Sequence, residues 1–91
     1  MNKQRDRLAV IYDIMNTISN NGNSIRSTPL LRQSNLSSQR FSEYLSELLS
    51  KDLVREVVDK KGTKYITLTD KGFIYLQKYQ YIRKFIDEFD L

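Results

Sequence analysis

The chain has 91 residues, enough for one small domain, and its 40% hydrophobic and 29% charged side chains are ordinary for a soluble globular protein. It has no cysteine, which excludes disulfides and thiolate metal sites, and no histidine, which removes the commonest general base and metal ligand. The net charge of +4 is a mild excess, and no apolar run approaches the roughly 20 residues that span a bilayer. An enzyme is therefore not expected, and neither a cofactor nor a membrane partner is implied.

The N-terminal stretch starts basic but has no apolar signal core, because Asp13 and Asn16 interrupt it; no secretion signal is read, and a cytoplasmic, nucleoid-associated location is expected. Residues 5–20 place Leu8, Ile11, Tyr12, Met15 and Ile18 at helical spacing, which predicts a first helix packed through these five. The run NNGN at 20–23 is a helix stop built from residue types that tolerate positive φ. Ser24, Ile25 and Arg26 form a short link in which Ile25 can make an isolated β-bridge. The stretch STPLLRQSN at 27–35 predicts a short second helix capped by Thr28, with Pro29 in its first position and Leu30 and Leu31 turned inward. Asn35 and Leu36 make a tight turn. Ser37 then caps a third helix running to about Lys51, whose inner face is Phe41, Tyr44, Leu45, Leu48 and Leu49.

After Asp52 the period changes from helix to strand. Val54 to Val58 and Lys64 to Leu68 predict a hairpin, with Gly62 supplying the positive-φ position of its loop. Thr69 caps a last helix, Asp70 in its first turn suits the helix dipole, and Gly72 marks either a weak point or a place of close packing. Helix, short helix, capped helix, hairpin and long helix together make an α+β, mainly helical fold: a winged helix-turn-helix with a long C-terminal dimerisation helix. Residues 1–69 are expected to form the DNA-binding domain and residues 70–91 the dimerisation helix.

The charge is unevenly spread. Residues 22–64 carry eight basic and five acidic side chains, whereas from Asp70 onward the two signs balance. An excess confined to one region points to a surface that faces a polyanion. In this architecture the front of the third helix enters the DNA major groove. Ser37, Ser38 and Ser42 let the backbone approach and bond phosphates, Gln39 suits adenine and Arg40 suits guanine. Lys60, Lys61 and Lys64 on the wing suit phosphate contact, and Arg26, Thr28 and Arg32 belong to the same expected surface. Lys3, Arg5 and Arg7 add a basic arm. Serines at a helix start are also ordinary caps, and Gln39 and Arg40 are also ordinary solvent-facing residues; the neighbouring hairpin and the Pro-initiated helix favour the DNA reading.

In the last helix Tyr75, Tyr79, Ile82, Ile86 and Phe89 step by four and three, a heptad seam that Phe85 widens. A segment of this length spans roughly 33 Å, more than so small a domain can cover. The expectation is a homodimer that pairs these helices antiparallel, with recognition helices on half-sites about 34 Å apart; the alternative is that the helix bends back onto the first helix of its own chain.

These residues resemble the archaeal 10-kilodalton winged-helix proteins, described as chromatin proteins and predicted transcriptional regulators. The likeness runs from about Leu8 to Tyr79 through Ile11 to Ile14, Asn35-Leu36-Ser37, Tyr44-Leu45, and Tyr65, Leu68, Thr69, Lys71 and Gly72. It implies DNA-binding homodimers joined by an antiparallel coiled coil of the last helix, although here that helix is shorter and more aromatic. The expected partners are double-stranded DNA and a second copy of the chain, in the role of a transcriptional regulator. A sequence-tolerant chromatin architectural protein is one alternative. The other is a protein–protein interaction module, kept open because Glu43 and Glu47 on the third helix would repel phosphates.

Overall fold

The computed structural model describes residues 6–91, so Lys3 and Arg5 of the expected basic arm lie outside the described residues. Its elements in chain order are α1 (Arg7–Asn20), α2 (Ser27–Ser34), α3 (Ser38–Ser50), β1 (Val54–Val58), β2 (Lys64–Leu68) and α4 (Asp70–Glu88). This is the winged-helix arrangement expected of the sequence.

Short polar side chains start three of the helices. Asp6, Ser37 and Thr69 each accept a hydrogen bond from the backbone N–H three residues on, filling one of the donors that a helix start leaves unpaired. α2 departs from expectation. It begins at Ser27 with Arg26 at the cap position and no side-chain cap bond, so Thr28 is not its cap. Pro29 therefore sits in the first turn rather than at its first position. That costs nothing, because the first turn's N–H groups have no helical partner in any case. Asn35 ends α2 in the left-handed region at φ 62°, which an asparagine tolerates better than most residues. The turn is fixed by Ser34, a buried residue missed in the sequence, whose Oγ donates to the Leu31 carbonyl and accepts from the Leu36 N–H.

β1 and β2 pair antiparallel in the register Val54 opposite Leu68 through Val58 opposite Lys64. Ile25 bridges Ile66 on the other edge of β2, exchanging both backbone hydrogen bonds at 3.2 and 2.8 Å. Asn23, at φ 56°, adds its side-chain oxygen as acceptor for the Leu68 N–H at 2.8 Å. The link before α2 is thereby stitched to the wing.

The core is a single cluster in which Ile14, Met15, Ile18, Leu30, Leu48 and Val54 are almost wholly sealed. On α1 the inward residues are Val10, Ile11, Ile14, Met15 and Ile18. Leu8 is not among them; it is 51% exposed. It belongs to the first turn of α1, before the helix reaches the neighbours that bury Val10 and Ile11. The first half of α4 shares this core through Gly72, Leu76 and Tyr79. Thr69 latches α4 to the end of α3: its Oγ donates to the Asp52 carbonyl at 2.6 Å and its N–H to the Leu53 carbonyl at 3.2 Å. The Lys71 ammonium donates to the Lys51 carbonyl at 2.9 Å.

α4 carries two apolar stripes. Tyr75 and Tyr79 face α1 of the same chain: the Tyr75 hydroxyl donates to the Leu8 carbonyl, and the Tyr79 ring stacks on Tyr12 with centroids 4.6 Å apart. That end of the expected intermolecular seam is therefore occupied within the chain itself. The second stripe consists of Ile74, Tyr81, Ile82, Phe85 and Phe89, all exposed, with Ile86 half-buried. The heptad pattern had merged the two.

Candidate nucleic-acid interface

α3 is an amphipathic rod held by its leucines. Phe41 and Leu48 are buried, and Tyr44, Leu45 and Leu49 pack against the core from the sides. Gln39, Ser46 and Ser50 fall on the opposite side of the rod, exposed, with Ser42 and Glu43 beside them. Ser38 is exposed in the first turn, and Ser37 spends its Oγ on the Arg40 N–H at 3.2 Å. The outer face of α3 is thus made of short, polar, mostly uncharged side chains, and the Ser38 and Gln39 N–H groups at its tip have no acceptor among the described residues. Arg40 stands apart. Its guanidinium lies over the Tyr44 ring, 5.9 Å from the centroid, on the side of the rod that faces Arg7.

The two glutamates of α3 have different surroundings. Glu47 is ion-paired to Arg7 and, at 2.6 Å, to Lys51, so its charge is already balanced. Glu43 stays exposed. Arg7, expected in a free basic arm, instead ties α1 to α3.

The wing loop is rigid at its base. Asp59, which the sequence did not single out, accepts the N–H groups of Lys61 and Thr63 through one carboxylate oxygen, both at 2.9 Å. Its own N–H donates to the Thr63 carbonyl, its carbonyl accepts from the Gly62 N–H, and Gly62 takes φ 83°. A D-x-x-G-T pattern at a hairpin turn was the available signal. The loop presents Lys60 and Lys61 to solvent.

Between the start of α2 and the base of the wing lies a notch of about 490 Å³, lined by Arg26, Ser27, Thr28, Pro29, Arg32, Thr63 and Lys64. Three cations and several hydroxyls meet there from segments far apart in sequence, and no carboxylate lines it. Among the described residues none of the three cations is ion-paired. Such a group attracts an anion with several oxygens, and a phosphodiester fits that description. Of the expected site residues, the fold gathers Arg26, Thr28, Arg32 and Lys64 in this notch. It leaves Lys60 and Lys61 at the wing tip and Ser37, Ser38, Gln39 and Ser42 on the front of α3, and it sets Arg40 aside.

A second hollow, of about 370 Å³, lies between α1 and α4 and is lined by Tyr12, Tyr79, Gln80, Arg83, Lys84 and Asp87. The neighbouring Tyr79, through a side-chain hydrogen bond and then its charge, and after it Asp87 raise the Arg83 pKa above its ordinary value. Among the described residues no group of acidic side chains is arranged to hold a metal ion, and no helix is long and apolar enough to cross a membrane.

Two antiparallel strands after a helix-turn-helix, with a cationic notch beside them, define a winged-helix protein. The sequence model of the winged helix-turn-helix family matches residues 4–87, and the chain belongs to that family. Among solved structures, F93 from STIV, a winged-helix DNA-binding protein, superposes with a TM-score of 0.71 at 17% identity, over 89% of this chain and 92% of that one. At that identity the likeness is one of fold. No curated protein matches the sequence.

Proposed function

We propose that the chain binds double-stranded DNA as a homodimer and acts as a transcriptional regulator. The outer face of α3 lies in the major groove, a phosphate of the flanking strand sits in the notch, and the wing lysines follow the backbone or minor groove. The observation that carries this reading is the convergence of Arg26, Arg32 and Lys64, none ion-paired among the described residues, on one carboxylate-free notch beside the wing. The description of F93 as a DNA-binding protein with the same fold supports it. The objection from α3 acids now rests on the exposed Glu43 alone, because Glu47 is neutralised by Arg7 and Lys51 and lies off the outer face. Fluorescence anisotropy with a random-sequence duplex tests the reading. Removing Arg26, Arg32 and Lys64 together is expected to flatten the dependence of log K on log salt by about 0.9 for each phosphate that is no longer neutralised. Wild-type protein that leaves duplex unbound at micromolar concentration would favour the protein-interaction alternative.

The dimer is assigned to the exposed stripe of α4. Phe85 and Phe89 form a ring pair 4.9 Å apart on this stripe, and Phe85 is 54% exposed. A contiguous apolar strip of this kind on so small a protein is normally covered. Charge argues for a second copy in antiparallel orientation. Along α4 the first half, with Asp70, Lys71 and Lys78, has a net charge of +1 and the second half, with Arg83, Lys84, Asp87, Glu88 and Asp90, has a net charge of −1, so two antiparallel copies set a positive half beside a negative one. Residues 1–69 then serve DNA and the outer side of 70–91 serves assembly, in the manner of the archaeal 10-kilodalton type that the motifs resemble. Phe85→Glu is expected to yield a monomer in sedimentation equilibrium; a variant that stays dimeric would exclude this stripe.

A further inference from the structure

Gln39 and Arg40 are neighbours in the first turn of α3, both exposed, and both suited by chemistry to reading a base edge. The fold separates them. Consecutive residues are about 100° apart around a helix, and the buried Phe41 and Leu48 fix how α3 is turned. Gln39 falls opposite those two, with Ser46 and Ser50 close to its line and the exposed Glu43 one turn beyond it. Arg40 falls on the flank. Its guanidinium packs over Tyr44 and borders a hollow of about 190 Å³ shared with Arg7, Glu43 and Glu47. A cation held over an aromatic face is stabilised where it is. To read a base in the line of Gln39 it would have to leave those partners and cross the helix surface.

We infer that Gln39 alone sets the base preference, taking adenine through paired hydrogen bonds to N6 and N7, and that Arg40 is a backbone-phosphate contact at the edge of the groove. This rests on the DNA-binding reading and adds which side chain specifies sequence. Tyr44 is a positioning residue for Arg40, and the serines along the outer row allow the close approach that a glutamine needs.

The test is selection from a randomised duplex pool with wild type, Gln39→Ala and Arg40→Ala, followed by anisotropy on the selected and a scrambled duplex over a salt series. Both residues are exposed, and unchanged melting of each variant confirms that the fold is kept. Gln39→Ala is expected to lose an adenine preference at one position per half-site, about tenfold in discrimination, with little change on the scrambled duplex. Arg40→Ala is expected to weaken both duplexes alike and to lower the salt slope by about 0.9, with base preference intact. The inference is overturned if Arg40→Ala erases a guanine preference while Gln39→Ala selects as wild type does, or if wild type binds duplex with no base preference. Failure of wild type to bind any duplex sinks the underlying reading instead.

Discussion

Gly72→Ala should destabilise the protein even though alanine is the better helix former. A Cβ at this position would lie 2.3 Å from the Leu53 carbonyl oxygen and 3.2 Å from the Met15 methyl. The methionine can swing aside. The carbonyl cannot, because the Thr69 N–H donates to it at 3.2 Å and the Thr69 hydroxyl donates to the adjoining Asp52 carbonyl at 2.6 Å. An ordinary carbon–oxygen contact begins near 3.3 Å, so α4 would have to retreat by about 1 Å. That retreat strains the two hydrogen bonds, worth about 1 kcal/mol each, and opens the packing beneath. Alanine returns about 1 kcal/mol of helix propensity. The net loss is about 2 kcal/mol, which for a domain of this size lowers the melting temperature by about 10 °C. The assay is thermal unfolding followed by circular dichroism at one fixed protein concentration, since dimerisation would itself shift the midpoint. Gly62→Ala serves as the contrast. That glycine has φ 83° but nothing within 4 Å of its would-be Cβ, so only a backbone cost of about 1 kcal/mol is expected. A Gly72→Ala protein that melts at or above the wild-type temperature would refute the close approach.

Three further outcomes follow from the same geometry. Ser34→Ala should cost about 1–2 kcal/mol in urea unfolding, because the Leu36 N–H loses its acceptor at a buried turn. Asp59→Ala should leave global stability nearly intact while hydrogen exchange quickens at the Lys61 and Thr63 amides, both of which lose their acceptor; unchanged exchange would show that the carboxylate does not organise the wing. Burial, and then the neighbouring Tyr79, raises the Tyr75 pKa above the ordinary 10.0. The neutral phenol is thus favoured in the folded state, so its contribution is complete below pH 10 and is lost as pH rises through the raised value. Stability measured between pH 9 and pH 11 should fall more steeply for wild type than for Tyr75→Phe; parallel curves would contradict the assignment.

Much of the fold could be read directly. Ser37 and Thr69 act as caps where their position before apolar runs says they should, Asn35 takes the left-handed turn, and the hairpin strands have the expected bounds, because each of these depends on residues within a few positions of one another. The misreadings share another origin. Leu8 satisfies the helical period but lies in the first turn of α1, beyond the well-covered core. Thr28 has the chemistry of a cap but sits one residue inside α2. Tyr75 and Tyr79 belong to a heptad pattern yet pack on α1 of their own chain, which moves the uncovered stripe of α4 to Ile74, Tyr81, Ile82, Phe85 and Phe89.

By itself the sequence determined the kinds and order of the elements, since backbone preference, capping and apolar period are local properties. It also bounded the chemistry, through the lack of cysteine and histidine and the basic excess before Asp70. Only the tertiary structure decided which neighbour covers each face. It brought Arg26 and Arg32 to Lys64, paired Glu47 with Arg7 and Lys51, and turned Arg40 away from the row of Gln39. Periodicity shows that a side of a helix is apolar or charged, but its partner comes from a distant segment, and the packing that joins the two fixes both the cationic notch and the uncovered stripe.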